Sequence, residues 1–233
     1  DDVHNVDPIT NGYNGWKNRV YLNKDKQKFD DVTHLMLVGD KGYQSTDIAL
    51  GDLNNDGRLD LVASNLKQKT AFFIQENNIF VDVSNDPTKV VYQNALPETI
   101  KYPKSWGADI VDLDNDGDND VFITEDTYST IYENLEDRTP LWNSRNNPPM
   151  AWFGPGLIYL SNGGFSGIDQ VLIHDFNNDG FVDLAFPTSS EGFVTQGFND
   201  MLYLNVENIN AQEGDPSRVF YKDPCFQFPE YQF

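Results

Sequence analysis

The sequence predicts an all-β fold built from three repeats of one supersecondary unit. A nine-residue acidic loop, with oxygen-bearing side chains at positions 1, 3, 5 and 9 and glycine at position 6, occurs three times. Each copy is followed by a short apolar run rich in β-branched or aromatic residues, which favours strands over helices. Regular recurrence of such a segment indicates repeated units. The copies, here called the first, second and third loops, are residues 52–60, 112–120 and 175–183.

Each loop offers the oxygen ligands that Ca²⁺ prefers in a flexible cage. Glycine permits the sharp turn, and the backbone carbonyl at position 7 can add a further oxygen. The sequence therefore predicts three calcium sites. The predicted ligands are Asp52, Asn54, Asp56, Arg58 and Asp60; Asp112, Asp114, Asp116, Asp118 and Asp120; and Asp175, Asn177, Asp179, Phe181 and Asp183, where the position-7 residues Arg58, Asp118 and Phe181 contribute their carbonyls.

Two other interpretations of these loops are weaker. Asn, Asp and Gly are common in turns, but turn formation alone does not explain three copies with the same ligand positions. An EF-hand loop begins in the same way but needs a bidentate Glu at position 12. This chain has Ala63, Ile123 and Phe186 at position 12.

The three loops differ in charge. The second loop offers four carboxylates, whereas Asn54 and Asn177 replace a carboxylate at position 3 of the other two. Because more ligand charge generally raises calcium affinity, we expect the second loop to hold its ion most tightly.

The units are predicted to form a single domain over residues 1–233, with a partial blade at 16–34 and blades at about 46–84, 107–142 and 167–223. Four strands per unit predict a β-propeller or partial propeller of antiparallel blades, with the acidic loops between first and second strands. The partial blade is predicted to be a hairpin over 20–32 that turns at 23–25. The strands of the blades are predicted at 48–50, 61–64, 71–74 and 80–83; 109–111, 121–124, 130–132 and 141–142; and 171–173, 184–186, 201–204 and 219–221.

The loops and the strands around them resemble the FG-GAP/VCBS repeat of integrin-alpha-like β-propellers. The resemblance includes three Tyr-x-Asn strand ends, and the segment over residues 18–33 resembles the variant of cartilage-acidic-protein-like members. It covers about residues 16–223 and implies a calcium-binding propeller blade, while the repeat says little about function. The Tyr-x-Asn copies are Tyr21-Leu22-Asn23, Tyr132-Glu133-Asn134 and Tyr203-Leu204-Asn205.

Composition limits the partners and the location. The formal net charge of −21 argues against nucleic acid and anionic membranes, because both require basic patches. Cys225 is the sole cysteine, so no intrachain disulfide is possible, and no apolar run approaches the ~20 residues of a membrane helix. Weak calcium sites operate at extracytoplasmic calcium levels. We therefore expect a secreted, periplasmic or organelle-lumen protein, in a mature or trimmed form because it begins at Asp1.

Two long links between units, 85–107 and 143–167, are expected to lie on the face opposite the acidic loops. Long loops on a rigid scaffold often carry recognition. The candidate ligand-binding residues there are Tyr102, Trp106, Trp152 and Phe153. The alternative is that these aromatic residues cap the ends of the β core.

The sequence gives no positive support for catalysis. His4, His34 and His174 are scattered, and no Gly-x-Ser-x-Gly motif occurs; the nearest segment is 164–167. The function predicted is a non-catalytic module that binds protein or glycan. The alternatives are a structural subunit of a larger extracytoplasmic or organelle-lumen assembly and a carbohydrate-active enzyme.

Three units and one hairpin make about three and a half blades, whereas propellers typically have about four to eight. An open arc would expose strand edges and apolar faces. We therefore expect the ring to be completed by further residues of a longer parent chain, a second copy or a neighbouring subunit.

Overall fold

The fold is described from a computed structural model of the chain. The structure describes residues 17–25, 28–40, 42–66, 68–86, 89–91, 105–125, 130–134, 142–145, 171–186, 201–207, 209 and 218–222. Within these ranges the regular secondary structure is β, as predicted, apart from one four-residue helix. In chain order the elements are β1 (Tyr21–Asp25), β2 (Lys28–Asp31), α1 (Thr33–Met36), β3 (Leu37–Val38), β4 (Ser45–Gly51), β5 (Asp60–Asn65), β6 (Ala71–Glu76), β7 (Ile79–Asp82), β8 (Val90–Val91), β9 (Ser105–Val111), β10 (Asp120–Glu125), β11 (Thr130–Asn134), β12 (Trp142–Arg145), β13 (Leu172–His174), β14 (Asp183–Phe186), β15 (Met201–Glu207) and β16 (Arg218–Lys222).

Three sheets each contain an antiparallel meander, and an acidic loop joins the first two strands of each meander. The meanders are β4–β5–β6–β7, β9–β10–β11–β12 and β13–β14–β15–β16. The first two sheets each gain a fifth strand of two residues, since β3 pairs in parallel with β7 and β8 with β12. The prediction of four strands is therefore one too few for these two sheets. Strands of two residues are too short to produce a periodic sequence pattern.

The predicted N-terminal hairpin exists, but its turn lies further along the chain. Strand β1 pairs with β2 from Tyr21↔Asp31 to Asp25↔Lys28, so the predicted turn at 23–25 is wrong. A cross-strand ion pair between Lys24 Nζ and Asp30 Oδ2, at 2.8 Å, lies within the extended part. Polar residues here continue the strand instead of ending it. The hairpin forms a separate two-stranded sheet.

The strands of the first two sheets bury side chains on both faces. Along β6, Phe72 and Ile74 belong to a core shared with the second sheet, whereas Phe73 belongs to a core that packs against Met36 and Leu37. Successive side chains point to opposite faces of a sheet, so a continuous apolar run is required where both faces are covered.

The second sheet is buried in the same way between its two neighbours. On β10, Val121 and Ile123 join the core shared with the first sheet, and Phe122 joins a core with the third sheet. The residues of this second core are Leu113, Phe122, Ile131, Leu184, Phe186, Tyr203 and Phe220. The sheets are therefore joined in the order first, second, third by two apolar cores.

The first strands of the first and second sheets pack closely just before their acidic loops. A Cβ placed at Gly51, the last residue of β4, would lie 2.4 Å from Cγ2 of Ile110 on β9. Real carbon atoms do not approach so closely, so the side chain of Ile110 occupies the space that glycine leaves open. This contact brings the ends of β4 and β9 close together, next to the first and second loops.

We expect Gly51→Ala to lower the free energy of unfolding by about 1–3 kcal/mol, because overpacking forces neighbouring groups apart. Urea denaturation at fixed calcium concentration measures the change. In an Ile110→Ala background the same substitution should cost clearly less. An equal loss in both backgrounds would contradict the contact.

Candidate metal centres in the acidic loops

One hydrogen-bond pattern shapes all three loops. In the second loop, the amide of Asp116 donates to Asp112 Oδ1 at 3.1 Å and to Asp114 Oδ1 at 3.3 Å. The amide of Gly117 donates to Asp112 Oδ2 at 3.0 Å, and that of Asp118 donates to Asp116 Oδ1 at 2.9 Å. The same four bonds occur in the first and third loops. The side chains at positions 1, 3 and 5 are therefore held in place by the loop backbone.

Two left-handed residues allow the chain to turn around these side chains. Position 6 is glycine in each loop, with φ of 80°, 99° and 91°. No atom lies within 4 Å of a Cβ placed at these glycines, so the backbone angle, and not lack of space, requires glycine. Position 4 is also left-handed, with φ of 55°, 61° and 60°, and is asparagine in every copy: Asn55, Asn115 and Asn178. Asparagine tolerates this conformation better than most residues.

The second loop brings three carboxylates together. Oxygen atoms of Asp112, Asp114 and Asp116 all lie within 4.8 Å of one another. Burial, followed by the neighbouring charges of Asp116 and Asp112, raises the pKa of Asp114 to about 7. Converging like charges of this kind are unfavourable unless a cation or a proton compensates them. The all-oxygen donor set therefore fits a hard divalent cation such as Ca²⁺.

The carboxylate at position 9 has a structural role that the sequence pattern alone does not reveal. The carboxylates of Asp60, Asp120 and Asp183 are buried. In the second loop, Asp120 Oδ2 accepts the amide of Leu113 at 3.0 Å, and Oδ1 accepts the amide of Asn134 at 2.8 Å. Equivalent pairs of bonds reach Leu53 and Gln75 in the first sheet and Phe176 and Asn205 in the third.

Each position-9 carboxylate therefore joins its loop to the third strand of the same meander. Burial is the main cause that raises the pKa of Asp120, to about 8, and also raises that of Asp60. An ionised carboxylate oxygen can accept more than one bond, so these oxygens can also face a cation. Their assignment as calcium ligands stays a prediction.

Position 7 differs among the loops in a way that changes their charge. The guanidinium of Arg58 binds the carboxylate of Asp56 within the first loop, and its Nε donates to the carbonyl of Gln75 at 3.1 Å. The corresponding residues are Asp118 and Phe181. The first loop thus contains a positively charged side chain that pairs with the predicted ligand Asp56. Position 7 of the second and third loops supplies no positive charge.

The Tyr-x-Asn strand ends connect neighbouring sheets. Asn134 Nδ2 donates to the carbonyl of Leu53 at 2.9 Å, and Asn205 Nδ2 donates to that of Leu113 at 3.0 Å. Each asparagine thus reaches the second position of the acidic loop in the preceding sheet. Tyr132 and Tyr203, two residues earlier, are buried in the cores between the sheets. In the hairpin copy, by contrast, Tyr21 is 51% exposed.

The structure describes one of the four predicted ligand-binding residues. Trp106 lies within β9 and is partly buried, so its placement in a long link was wrong. The extended pairing of β9 with β10 begins already at Ser105. Tyr102, Trp152 and Phe153 lie outside the described residues. The ring of His174 packs edge-on against Phe176, with centroids 5.6 Å apart, which agrees with a structural role.

Comparisons with known proteins agree with the repeat. Residues 5–63 match the family model described as FG-GAP-like repeat, which confirms the predicted resemblance. A relative, cartilage acidic protein 1 of Xenopus tropicalis, is 26% identical over 168 residues. The alignment covers 72% of this chain and 24% of that protein, so the chain spans about a quarter of its length. The second and third loops lie beyond the family match but repeat the hydrogen bonds of the first. No described helix has the length and hydropathy that a membrane crossing requires.

We expect Asp183→Asn to lower the free energy of unfolding by about 1–3 kcal/mol, because the amide leaves one buried backbone N–H without an acceptor. The loss should persist in excess chelator, since the donors are the amides of Phe176 and Asn205. Urea denaturation with and without calcium measures it, and Asp25→Asn on the exposed hairpin is the control. A loss seen only with calcium would show that this carboxylate serves the metal alone.

Proposed function

We propose that the chain is a calcium-stabilised β-propeller-type interaction module without catalytic activity. The observation that carries the proposal is the convergence of Asp112, Asp114 and Asp116 in a loop whose backbone holds each carboxylate in position. Position-1 and position-5 carboxylates accept loop amides in all three loops. This arrangement holds oxygen atoms where they can surround a cation.

The loops link metal binding to the stability of the sheets. Bound calcium would supply the positive charge that the converging carboxylates lack. The side chains at positions 1, 3 and 5, with the position-7 carbonyl, would hold the ion, and the position-9 carboxylate fixes the loop to the third strand. Since the ligands are brought together only in the folded chain, binding free energy adds to folding free energy.

We expect calorimetry to give three calcium ions per chain and Asp116→Ala to reduce the number to two. The second loop should release its ion last during chelation, because it has four carboxylates. The variant should also unfold at lower temperature in calcium. Glu207→Ala, which removes an exposed acid outside the loops, is the control for net charge. An unchanged stoichiometry in Asp116→Ala would contradict the assignment of ligands.

The interaction partner is proposed to be a protein or a glycan outside the cytoplasm. Support comes from the FG-GAP-like repeat, from the relative whose name places it in cartilage, and from the acidic surface. The predicted contact face is that of the long links, most of whose residues lie outside the described ranges. A neighbouring subunit or a further chain segment that completes the ring is part of this proposal. The apolar residues exposed on the hairpin, Leu22 and Phe29 among them, favour such a neighbour.

A glycan array with the calcium-loaded chain separates the two kinds of partner. Strong and selective sugar binding that chelator abolishes would identify a glycan-binding module. No binding on the array, combined with self-association in sedimentation velocity, would favour assembly with protein. A chain that binds no glycan and sediments as a compact monomer would contradict the ring-completion proposal.

A further inference from the structure

The first and second loops are joined by direct side-chain bonds, and we call this contact the seam. Asn55, at position 4 of the first loop, donates from Nδ2 to Asp118 Oδ1 in the second loop. Asn119 Nδ2 donates to the backbone carbonyl of Asp52 at 2.8 Å. Asn134 Nδ2 adds a third bond, to the carbonyl of Leu53. The seam therefore holds the first two residues of the first loop and its turn.

Asp118 belongs to both loops at once. Its amide donates to Asp116 Oδ1 at 2.9 Å, and its carbonyl is the predicted position-7 ligand of the second loop. Its side chain is only 6% exposed and holds Asn55. The other oxygen, Oδ2, has no hydrogen-bond partner among the residues that the structure describes. The position of this buried carboxylate thus depends on the backbone of the second loop and affects the first.

The contact between the second and third loops is chemically different. Positions 7 and 8 of the third loop are Phe181 and Val182, whose side chains have no amide or carboxylate. Val182 packs instead against the apolar core between the second and third sheets. The bond of the strand-end asparagine is repeated, from Asn205 to the carbonyl of Leu113. The two polar bonds specific to the seam therefore have no chemical counterpart there.

We propose that the first and second loops bind calcium as a coupled pair, while the third loop binds independently. The proposal rests on the calcium function proposed above. An ion in the second loop would immobilise the peptide of Asp118, and the fixed carboxylate would hold Asn55, which lies between the predicted ligands Asn54 and Asp56. The first loop is then already ordered when its own ion binds, which produces positive coupling. The buried negative charge of Asp118 between the two loops also offsets repulsion between the two ions.

Coupling between sites is reciprocal and typically changes affinity about 5–150-fold. It can be measured loop by loop on the full chain by titrating calcium and following amide signals in ¹⁵N NMR spectra. Gly57, Gly117 and Gly180 report on one loop each, because their amides donate to the position-1 carboxylates. We expect Asp116→Asn, which weakens the second loop, to reduce the calcium affinity of the first loop at least about fivefold. The affinity reported by Gly180 should stay within about twofold, less than the usual range of coupling.

Two seam variants test whether the seam carries the coupling. Asn55→Gly keeps the left-handed backbone but removes the amide that binds Asp118, and Asn119→Ala removes the bond to Asp52. In either background, Asp116→Asn should no longer change the affinity of the first loop. Asn178→Gly, the same substitution at position 4 of the third loop, is the matched control and should leave the coupling intact.

The wild-type titration keeps the test decisive if Asp116→Asn fails to fold. An ion in the second loop should order the first loop, so Asn55→Gly should move the Gly57 midpoint to higher calcium concentration, and by more than Asn178→Gly moves the Gly180 midpoint. A Gly57 midpoint that Asn55→Gly does not move in this way, or coupling that survives both seam variants, would overturn the seam proposal and leave the calcium function standing. Absence of calcium binding at every loop would overturn both proposals.

Discussion

The position-9 carboxylate is the interaction on which the arrangement of each sheet depends. It accepts one amide from the start of the acidic loop and one from the third strand of the meander, as Asp120 does with Leu113 and Asn134. A buried acceptor with two backbone donors is costly to lose, since each unpaired donor would be buried without a partner. The loop, the second strand that begins at position 9 and the third strand are therefore held by a single side chain. This attachment anchors the loop whose backbone amides hold the predicted ligand side chains.

The Tyr-x-Asn strand end joins one sheet to the next, as the position-9 carboxylate joins the loop and strands within one sheet. The backbone N–H of Asn134 donates to Asp120 Oδ1, and its side-chain amide donates to the carbonyl of Leu53 in the first loop. Its tyrosine, Tyr132, meets Phe72 of the first sheet in an edge-on contact, with ring centroids 5.1 Å apart. One strand end thus supplies an apolar contact and a polar link to the same neighbouring sheet. This short sequence motif thus adds a polar link to the apolar cores that join successive sheets.

Much of the fold was predictable because two patterns in the sequence are directly physical. Ligand spacing identified the loops, and the apolar runs after position 9 predicted the second strands, for example Leu184 to Phe186 within β14. The elements that were missed lack such patterns. The parallel strands β3 and β8 contain two residues each, too few for a periodic pattern, and each pairs at the edge of its sheet. The role of position 4 was also missed, although asparagine in all three copies was a readable signal of left-handed backbone.

The candidate site was predictable in its composition but not in its electrostatics. By ligand spacing alone, the three loops are copies that differ in whether position 3 is aspartate or asparagine. The structure adds differences at position 7, where Arg58 neutralises a ligand carboxylate of its own loop and Asp118 places a further negative charge beside a neighbouring loop. These contacts involve side chains that the repeat leaves free to vary, so no pattern of the repeat could reveal them.

Negative charge is distributed unevenly across the seam. The four carboxylates of the second loop and the buried side chain of Asp118 concentrate negative charge at one end of the contact, whereas the guanidinium of Arg58 lies in the loop at the other end. A cation in the second loop therefore relieves more repulsion than one in the first, where an ion must compete with Arg58 for Asp56. Because both loops have the same internal hydrogen bonds, the difference between their intrinsic affinities should arise from charge, whereas the seam couples their ordering. Variation at position 7 would thus allow repeats with one predicted ligand pattern to bind the same ion with different strength.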